Sequence, residues 1–173
     1  YPTGALTAHI VGYMGPITRL VQDLYVDKGF DPSRDKIGYA GIEAYMQDTL
    51  AGKNGSKVVE HDVAGLELRT VGEVIPSVPG ESLVLTLDVR LQAIAEGALR
   101  QRMKVENQMR KGQPVTNGVV IAMNPQTGEI LAMVSLPTYD NQQFARFIPV
   151  DYYTDLSDHP HRPLLNQAIS GEH

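Results

Sequence analysis

A few short patterns in these 173 residues could carry chemistry. Ser33-Arg-Asp-Lys36 has the spacing of an S-x-x-K nucleophile, in which a lysine one helical turn after a serine takes its hydroxyl proton. That chemistry needs both side chains on one helix in a cleft. Here the four residues follow Pro32 in a polar loop, so chance occurrence is the ordinary explanation of so short a motif. Gly52-Lys-Asn-Gly-Ser-Lys57 has the composition of a phosphate-binding loop, but its order differs from G-x-x-x-x-G-K-[ST] and no buried strand feeds it, so a turn is expected. His159 and His161, with Asp155 and Asp158 nearby, are types that ligate zinc or manganese, yet Pro160 separates the two histidines and no helix sets their spacing. Solvated loop residues are the default there. Asn54-Gly-Ser56 matches a glycosylation acceptor, a pattern too common to carry weight. His9, His61 and His173 stand singly, and no two acidic residues are placed on a common face as an acid/base pair. Local chemistry thus assigns no catalytic, cofactor-binding or metal-binding residue, and implies no cofactor.

The totals narrow the classes. A chain of this length buries roughly 70% of its unfolded surface, enough for a real core. Apolar residues make up 42%, which points to a globular chain of one large or two small domains. A net charge of −5 without a basic face argues against a nucleic-acid partner. Cysteine is absent, which excludes disulfides and thiolate chemistry but leaves the compartment open. No apolar run approaches the roughly 18 residues of a membrane span. The opening Tyr-Pro-Thr-Gly is neither an initiator Met nor a signal peptide, so the chain reads as a piece of a longer one.

The elements that would position any site follow from periodicity. Ala5 to Val11 reads as a helical turn entering a loop. Ile17, Leu20, Val21, Leu24 and Tyr25 fall on one helix face, with Gly29 placed to stop it. Asp31 to Tyr39 reads as loop, and Ile42, Tyr45, Met46 and Leu50 as a short amphipathic helix ending at Gly52. The period then changes. Lys57–Val63 and Leu66–Val74 predict half-exposed strands of a hairpin turning at Ala64-Gly65. Ile75 to Gly80, with two prolines and a glycine, is the best domain boundary, which places the division near Pro79.

Beyond it Ser82–Leu87 reads as a strand and Asp88 as an N-cap, since its carboxylate can accept orphan amides of a first turn. The long helix that follows carries Leu91, Ile94, Ala95, Ala98, Leu99 and Met103 on one face and ends by Gly112. Val119–Met123 and Ile130–Val134 are continuous apolar runs of strand length, joined by Asn124-Pro-Gln-Thr-Gly128. Pro125 fixes φ there and Gly128 can take positive φ, so the unit is a β-hairpin. Apolar on both faces, it needs a cover on each side. After Asp140 the chain turns polar and aromatic, and Leu164–His173 stops within a helical turn.

These residues together resemble the class B penicillin-binding proteins, and within them the elongation type that cross-links side-wall peptidoglycan. The resemblance runs from Tyr1-Pro-x-Gly-x-Leu-x-Ala-His-Ile-x-Gly-Tyr-x-Gly15 through Gly41-Ile-Glu43, Tyr45, Leu50-x-Gly52 and Val78-Pro-Gly80 to Leu85-Thr-Leu-Asp88 and Leu91-Gln92. It is densest in Gly118-Val-Val-x-Ala-Met-Asn-Pro-x-Thr-Gly-Glu-Ile-Leu-Ala-Met-Val-Ser135, then Pro137, Tyr139-Asp140 and Arg162-Pro-Leu-Leu-Asn-Gln-Ala168. Asn124 stands where an Asp is more usual.

The resemblance implies an α+β fold. Residues 1–79 would be part of a pedestal, or dimerisation domain, of helices and antiparallel hairpins. Residues 80–173 would be the N-terminal helix and β-hairpin of an incomplete transpeptidase domain whose antiparallel sheet has helices on both faces. It further implies a serine D,D-transpeptidase that acts on peptidoglycan stem peptides and is acylated by β-lactams. The whole protein would sit on the extracytoplasmic face of the bacterial membrane, held by an N-terminal transmembrane helix and contacting elongation-complex membrane proteins. The family's Pro-Pro-Gly-Ser-x-x-Lys segment lies a few residues beyond a stretch like Asn166–Gly171, so the nucleophile is expected outside this chain, with the later Ser-x-Asn and Lys-Thr-Gly elements. Ser33 and Lys36 do not align with it. By itself the piece is expected to be inactive and to serve a structural or partner-binding role, including a homodimer; the alternative is a purely non-catalytic interaction module of a cell-wall assembly complex.

Overall fold

Asp88 starts the longest helix in the way its short carboxylate predicts. In the computed structural model, which describes residues 1–110 and 112–170, its side chain accepts from the backbone N–H groups of Arg90 and Leu91 at 2.8 and 3.1 Å. In chain order the elements are a 3₁₀ turn at Gly4–Leu6, α1 (Ala8–Val11), β1 (Met14–Pro16), α2 (Gln22–Asp27), β2 (Lys36–Gly38), α3 (Gly41–Tyr45), α4 (Gln47–Leu50), β3 (Ser56–His61) and β4 (Glu67–Ile75). Then come α5 (Val89–Met109), β5 (Gly118–Met123), β6 (Ile130–Leu136), a 3₁₀ turn at Asn141–Phe144, α6 (Val150–Ser157) and α7 (Gln167–Ser170). Two-stranded sheets pair β1 with β2, β3 with β4 and β5 with β6. The fold is α+β, as expected.

Packing divides the chain into two compact units that do not follow chain order. One comprises Tyr1–Gly15, Gly38–Tyr45 and the described part of Val84–His173, the other Pro16–Ile37 and Met46–Leu83. A division near Pro79 therefore leaves residues 1–15 apart from the residues they pack against.

In the first unit β5 and β6 are antiparallel, with Val120 opposite Val134 and Ala122 opposite Ala132. Gly128 takes φ of 78° in their turn, and Asn124 Oδ1 accepts from the Gln126 N–H at 3.0 Å. One hairpin face packs Ala132, Val134 and Leu136 against Leu91, Ala95, Leu99 and Met103 of α5. The buried stripe of that helix is narrower than its periodicity predicts, because Ile94 and Ala98 face solvent while Gln92 is buried. The helix also stops at Met109, before Gly112. The expected second cover is partial. Ile121 and Met123 are exposed, and the four-residue α7 reaches only the end of the hairpin where the Gln167 N–H donates to Ser135 Oγ at 2.9 Å. The remainder of the predicted terminal turn, residues 171–173, lies outside the described residues. A second core gathers Ala8, Tyr13, Tyr139 and Phe144, with Ile148, Tyr152 and Leu156 against them. Helix α6 was not anticipated, although Ile148, Tyr152 and Leu156 recur four apart.

Ser82–Leu87 is not a strand. It is tied beside β6 by bonds from Thr86 Oγ1 to Ile130 O at 2.6 Å and from the Asp88 N–H to Leu131 O at 2.9 Å, and forms no ladder.

Residues 16–83 correct four expectations. The helix predicted from Ile17 begins only at Gln22, because a turn closed by the Val21 N–H on Thr18 O at 3.1 Å comes first, leaving Leu20 96% exposed. It ends at Gly29 as expected. Gly29 takes φ of 87°, its N–H bonds Val26 O, and the Phe30 N–H bonds Tyr25 O at 3.0 Å while the Tyr25 and Phe30 rings meet edge-on at 5.3 Å. That is a Schellman stop with its apolar clasp. The helix predicted over Ile42–Leu50 is broken at Met46, whose φ and ψ of −104° and 22° separate α3 from α4. Within the predicted loop Asp31–Tyr39, residues Lys36–Gly38 form β2. The β3–β4 hairpin is present, its loop organised by Asp62 Oδ1 accepting from the Ala64 and Leu66 N–H groups at 2.8 and 2.9 Å. β4 is exposed along its whole length rather than half-exposed.

Replacing Asp88 by Ala should cost about 1 kcal/mol of stability, and by Asn only a few tenths, because Asn caps as well. Urea denaturation followed by circular dichroism checks it; equal losses for both variants would count against the cap.

Candidate functional site

The side chains singled out for chemistry are engaged otherwise. Ser33 Oγ and its backbone N–H both donate to Asp31 Oδ1, at 2.6 and 2.9 Å, in a turn rather than a helix. Those two bonds hold the Asp31 carboxyl below its ordinary range. Lys36 lies in β2, so no helical turn sets it over the hydroxyl. In the Gly52–Lys57 segment glycine answers to backbone crowding. A Cβ on Gly52 would lie 2.4 Å from Val78 O and one on Gly55 2.5 Å from the Ser77 nitrogen, while Lys53 and Val78 exchange backbone bonds of 2.8 and 2.9 Å. Lys57 is held by Glu67 at 2.8 Å. A cleft of about 770 Å³ opens beside these residues, with Asp31, Arg34, Asp35 and Lys57 in its lining, two charges of each sign. His159 and His161 lie with ring centroids 5.4 Å apart, and the His161 N–H donates to His159 Nδ1 at 3.2 Å. Among the described residues no three His, Cys, Asp or Glu side chains converge as a metal site.

The most built part of the molecule is a polar clamp around residues 5–12. A four-residue helix such as α1 satisfies few of its own carbonyls, and this segment takes side-chain donors from elements far along the chain. Ala5 O accepts from Thr138 Oγ1 at 3.2 Å, Leu6 O from Gln92 Nε2 at 3.0 Å and Ala8 O from the Tyr139 hydroxyl at 3.0 Å. His9 O accepts from Asn166 Nδ2 at 3.4 Å and Gly12 O from Asn141 Nδ2 at 2.8 Å. Gln92, only 2% exposed, also donates to Met133 O and accepts from the Met133 N–H, both at 2.8 Å, so one amide joins α5, β6 and the N-terminal segment. Asn166 Oδ1 accepts from the Ala168 N–H at 3.0 Å, seating the start of α7 on the same clamp.

The clamp is electrically quiet. Burial, and then the neighbouring Tyr153 and Tyr39, push the Tyr13 hydroxyl up to about 12, and burial followed by Tyr13 pushes Tyr139 higher still. Burial also lowers His9 from its ordinary value, an effect opposed by its 3.3 Å contact from Nε2 to Pro137 O. His9, Ser135, Thr138 and Gln92 line a cavity of about 10 Å³, room for a single water and too small for a substrate. Its donors are spent on holding backbone, so this arrangement positions elements rather than reacting. Sequence reasoning missed these roles because Gln92, Asn141 and Asn166 bond to residues 41 to 157 positions away. The one available signal was a glutamine inside an apolar helix stripe.

Two family models match the chain: the penicillin-binding protein dimerisation domain over residues 1–85 and the penicillin-binding protein transpeptidase domain over residues 118–172. The chain is 35% identical over 172 residues to the peptidoglycan D,D-transpeptidase MrdA of Acinetobacter baumannii, an alignment that covers 99% of this chain and 23% of that protein. It thus spans about a quarter of the length of the curated relatives it matches. Among solved structures it is similar to a chain of a complex between PBP2 and MreC from Helicobacter pylori, with TM-score 0.73 and 30% identity over 96% of this chain and 28% of that one. A chain from a peptidoglycan synthase complex that coordinates polymerization and crosslinking matches with TM-score 0.79 and 33% identity, over 97% of this chain and 29% of that one.

Replacing Gln92 by Leu strands Leu6 O and both backbone groups of Met133, and should cost at least about 2 kcal/mol by denaturant titration; a loss near zero would remove the clamp. The tyrosines set an alkaline limit. Unfolded tyrosines ionise near 10.0 while Tyr13 stays protonated in the fold to about 12, so stability should be full below pH 10 and fall as pH rises through 12. Chemical denaturation across pH 9 to 12 checks this, and Tyr13→Phe should flatten the fall.

Proposed function

Because the chain belongs to the penicillin-binding protein family, we propose that the whole protein is a serine D,D-transpeptidase that cross-links peptidoglycan stem peptides during cell elongation and is acylated by β-lactams. The observation that carries this is the dimerisation match over 1–85 followed by the transpeptidase match over 118–172, in a chain 35% identical to MrdA. Residues 1–79 are assigned to the pedestal and 80–173 to the opening of the transpeptidase domain. To these 173 residues we assign no catalytic residue, metal ligand or cofactor. Their part is to build the first hairpin of the catalytic sheet on α5 and to seat α7 through the clamp.

The location follows from the same reading: the outer face of a bacterial membrane, held by an anchor elsewhere in the whole protein. No helix among the described residues is long and apolar enough to cross a membrane. Elongation-complex membrane proteins are the proposed partners, supported by the MreC complex of the Helicobacter pylori relative. A second role, as an interaction module that includes a homodimer, is favoured by the apolar side chains left exposed on β3 and β4. The two roles are compatible.

Fluorescent penicillin should label the whole protein covalently and leave the isolated 173-residue chain unlabelled. Labelling of the isolated chain would show that the reactive serine lies within it; a whole protein that resists labelling would overturn the transpeptidase assignment.

A further inference from the structure

Asn54 and Asn117 are each followed by glycine, which exposes an asparagine to attack by its own backbone. With no Cβ on the next residue, that residue's nitrogen can reach the asparagine side-chain carbon. The fold treats the two pairs differently. Gly118 opens β5 opposite Leu136, and a Cβ there would lie 3.0 Å from Leu99 of α5, so ladder and packing both fix its backbone. Asn117 is held as well, its Oδ1 accepting from Thr116 Oγ1 at 2.9 Å and its Nδ2 donating to His161 O at 3.3 Å. Asn54 and Gly55 lie between the Lys53–Val78 bridge and the start of β3, and both are exposed. The Gly55 N–H has no hydrogen-bond partner among the described residues. Packing also keeps the reactive pair in place, because a Cβ at residue 55 would lie 2.5 Å from the Ser77 nitrogen and 2.6 Å from Ile75 O.

We propose that Asn54 is a self-modification site, whose conversion to a carboxylate releases the loop of residues 29–35. The Gly55 nitrogen attacks Cγ of Asn54 and forms a new C–N bond. The bond from Cγ to Nδ2 breaks, and the amide nitrogen leaves as ammonia with the proton that Gly55 gives up. A five-membered imide results. Water then adds at one of its two carbonyls: opening at Cγ gives aspartate, and opening at the main-chain carbonyl gives isoaspartate, with the chain running through the side chain. One water is consumed and one ammonia released, and no oxidant or cofactor is needed.

The structure shows what the new carboxylate meets. Asn54 Nδ2 donates to Gly29 O at 3.5 Å and to Asp35 Oδ2, which also accepts from the Asp31 N–H at 2.7 Å. Conversion removes both donor bonds and sets one carboxylate against another. The same residues line the cleft that holds Arg34 and Lys57, so its two charges of each sign become three acids facing two bases. The amide that ties residues 29–35 to residues 53–55 thus becomes a repulsion between them.

Peptide mapping by mass spectrometry of the 173-residue chain, folded and in urea, during incubation in mildly alkaline buffer tests the site. In the folded chain the peptide that contains Asn54 should gain the mass of amide-to-acid conversion several-fold faster than the peptide that contains Asn117; in urea the two should convert at similar rates. Conversion of Asn117 first, or at an equal rate in the fold, would overturn the site. Asn54→Asp should lower the folding equilibrium constant about tenfold. Adding Asp35→Asn should recover most of that loss, because an amide then faces the new carboxylate with the donor and acceptor exchanged. An Asn54→Asp chain as stable as the unsubstituted one would overturn release of the loop, and a loss that Asp35→Asn leaves unchanged would overturn the carboxylate contact as its cause.

Discussion

Everything in the first unit depends on where the backbone carbonyls of residues 5–12 find their donors. A buried polar group without a partner costs about 1–3 kcal/mol, and a short helix cannot supply enough partners from within. Thr138, Gln92, Tyr139, Asn166 and Asn141 supply them instead. Together the five bonds tie the N-terminal segment to three parts of the chain: α5, the stretch after β6 and the start of α7. Apolar contacts alone would hold these parts together in many arrangements, whereas five directional bonds allow few. The clamp therefore supplies register where the small core of Ala8, Tyr13, Tyr139 and Phe144 supplies cohesion.

Several residues that carry the family resemblance are members of this clamp. Gln92, Tyr139 and Asn166 sit in the motifs quoted for the resemblance, and each makes a bond that joins distant elements. For Gln92 and Asn166 the physics is clear at this level: a donor with the wrong reach would leave Leu6 O or His9 O stranded. The second unit is built differently. Several of its polar bonds are local, as at Asp31, Asp62 and the Schellman stop after α2, and its longest strands are open to solvent. One unit is organised inward around buried amides; the other displays its side chains outward.

Short motifs carry no chemistry without their supports, which is why chance and a turn are the expected readings of the segments at Ser33 and Gly52. Ser33 and Lys36 have a nucleophile's spacing, but Asp31 occupies the hydroxyl and the lysine lies on a strand. The glycines of the Gly52–Lys57 segment answer to the close passage of Val78 and Ser77, not to a phosphate. Helical spacing did mislead at Ile17 and Leu20, where a turn precedes the helix, and across Met46, where one apolar stripe is shared by two helices.

By itself the sequence determined what depends on neighbours along the chain. The Asp88 cap, the Gly29 stop, the turn from Asn124 to Gly128 and both long hairpins follow from interactions spanning a few residues, and these are legible in residue type and spacing. Family membership was legible for a different reason, since ordered motifs across the whole chain record many constraints at once. Tertiary structure alone decided which face of α5 is buried, that residues 1–15 pack with the hairpin, and which amides hold them. Those outcomes turn on hydrogen bonds between residues 41 to 157 positions apart, and no local pattern specifies which distant carbonyl a buried glutamine or asparagine will meet.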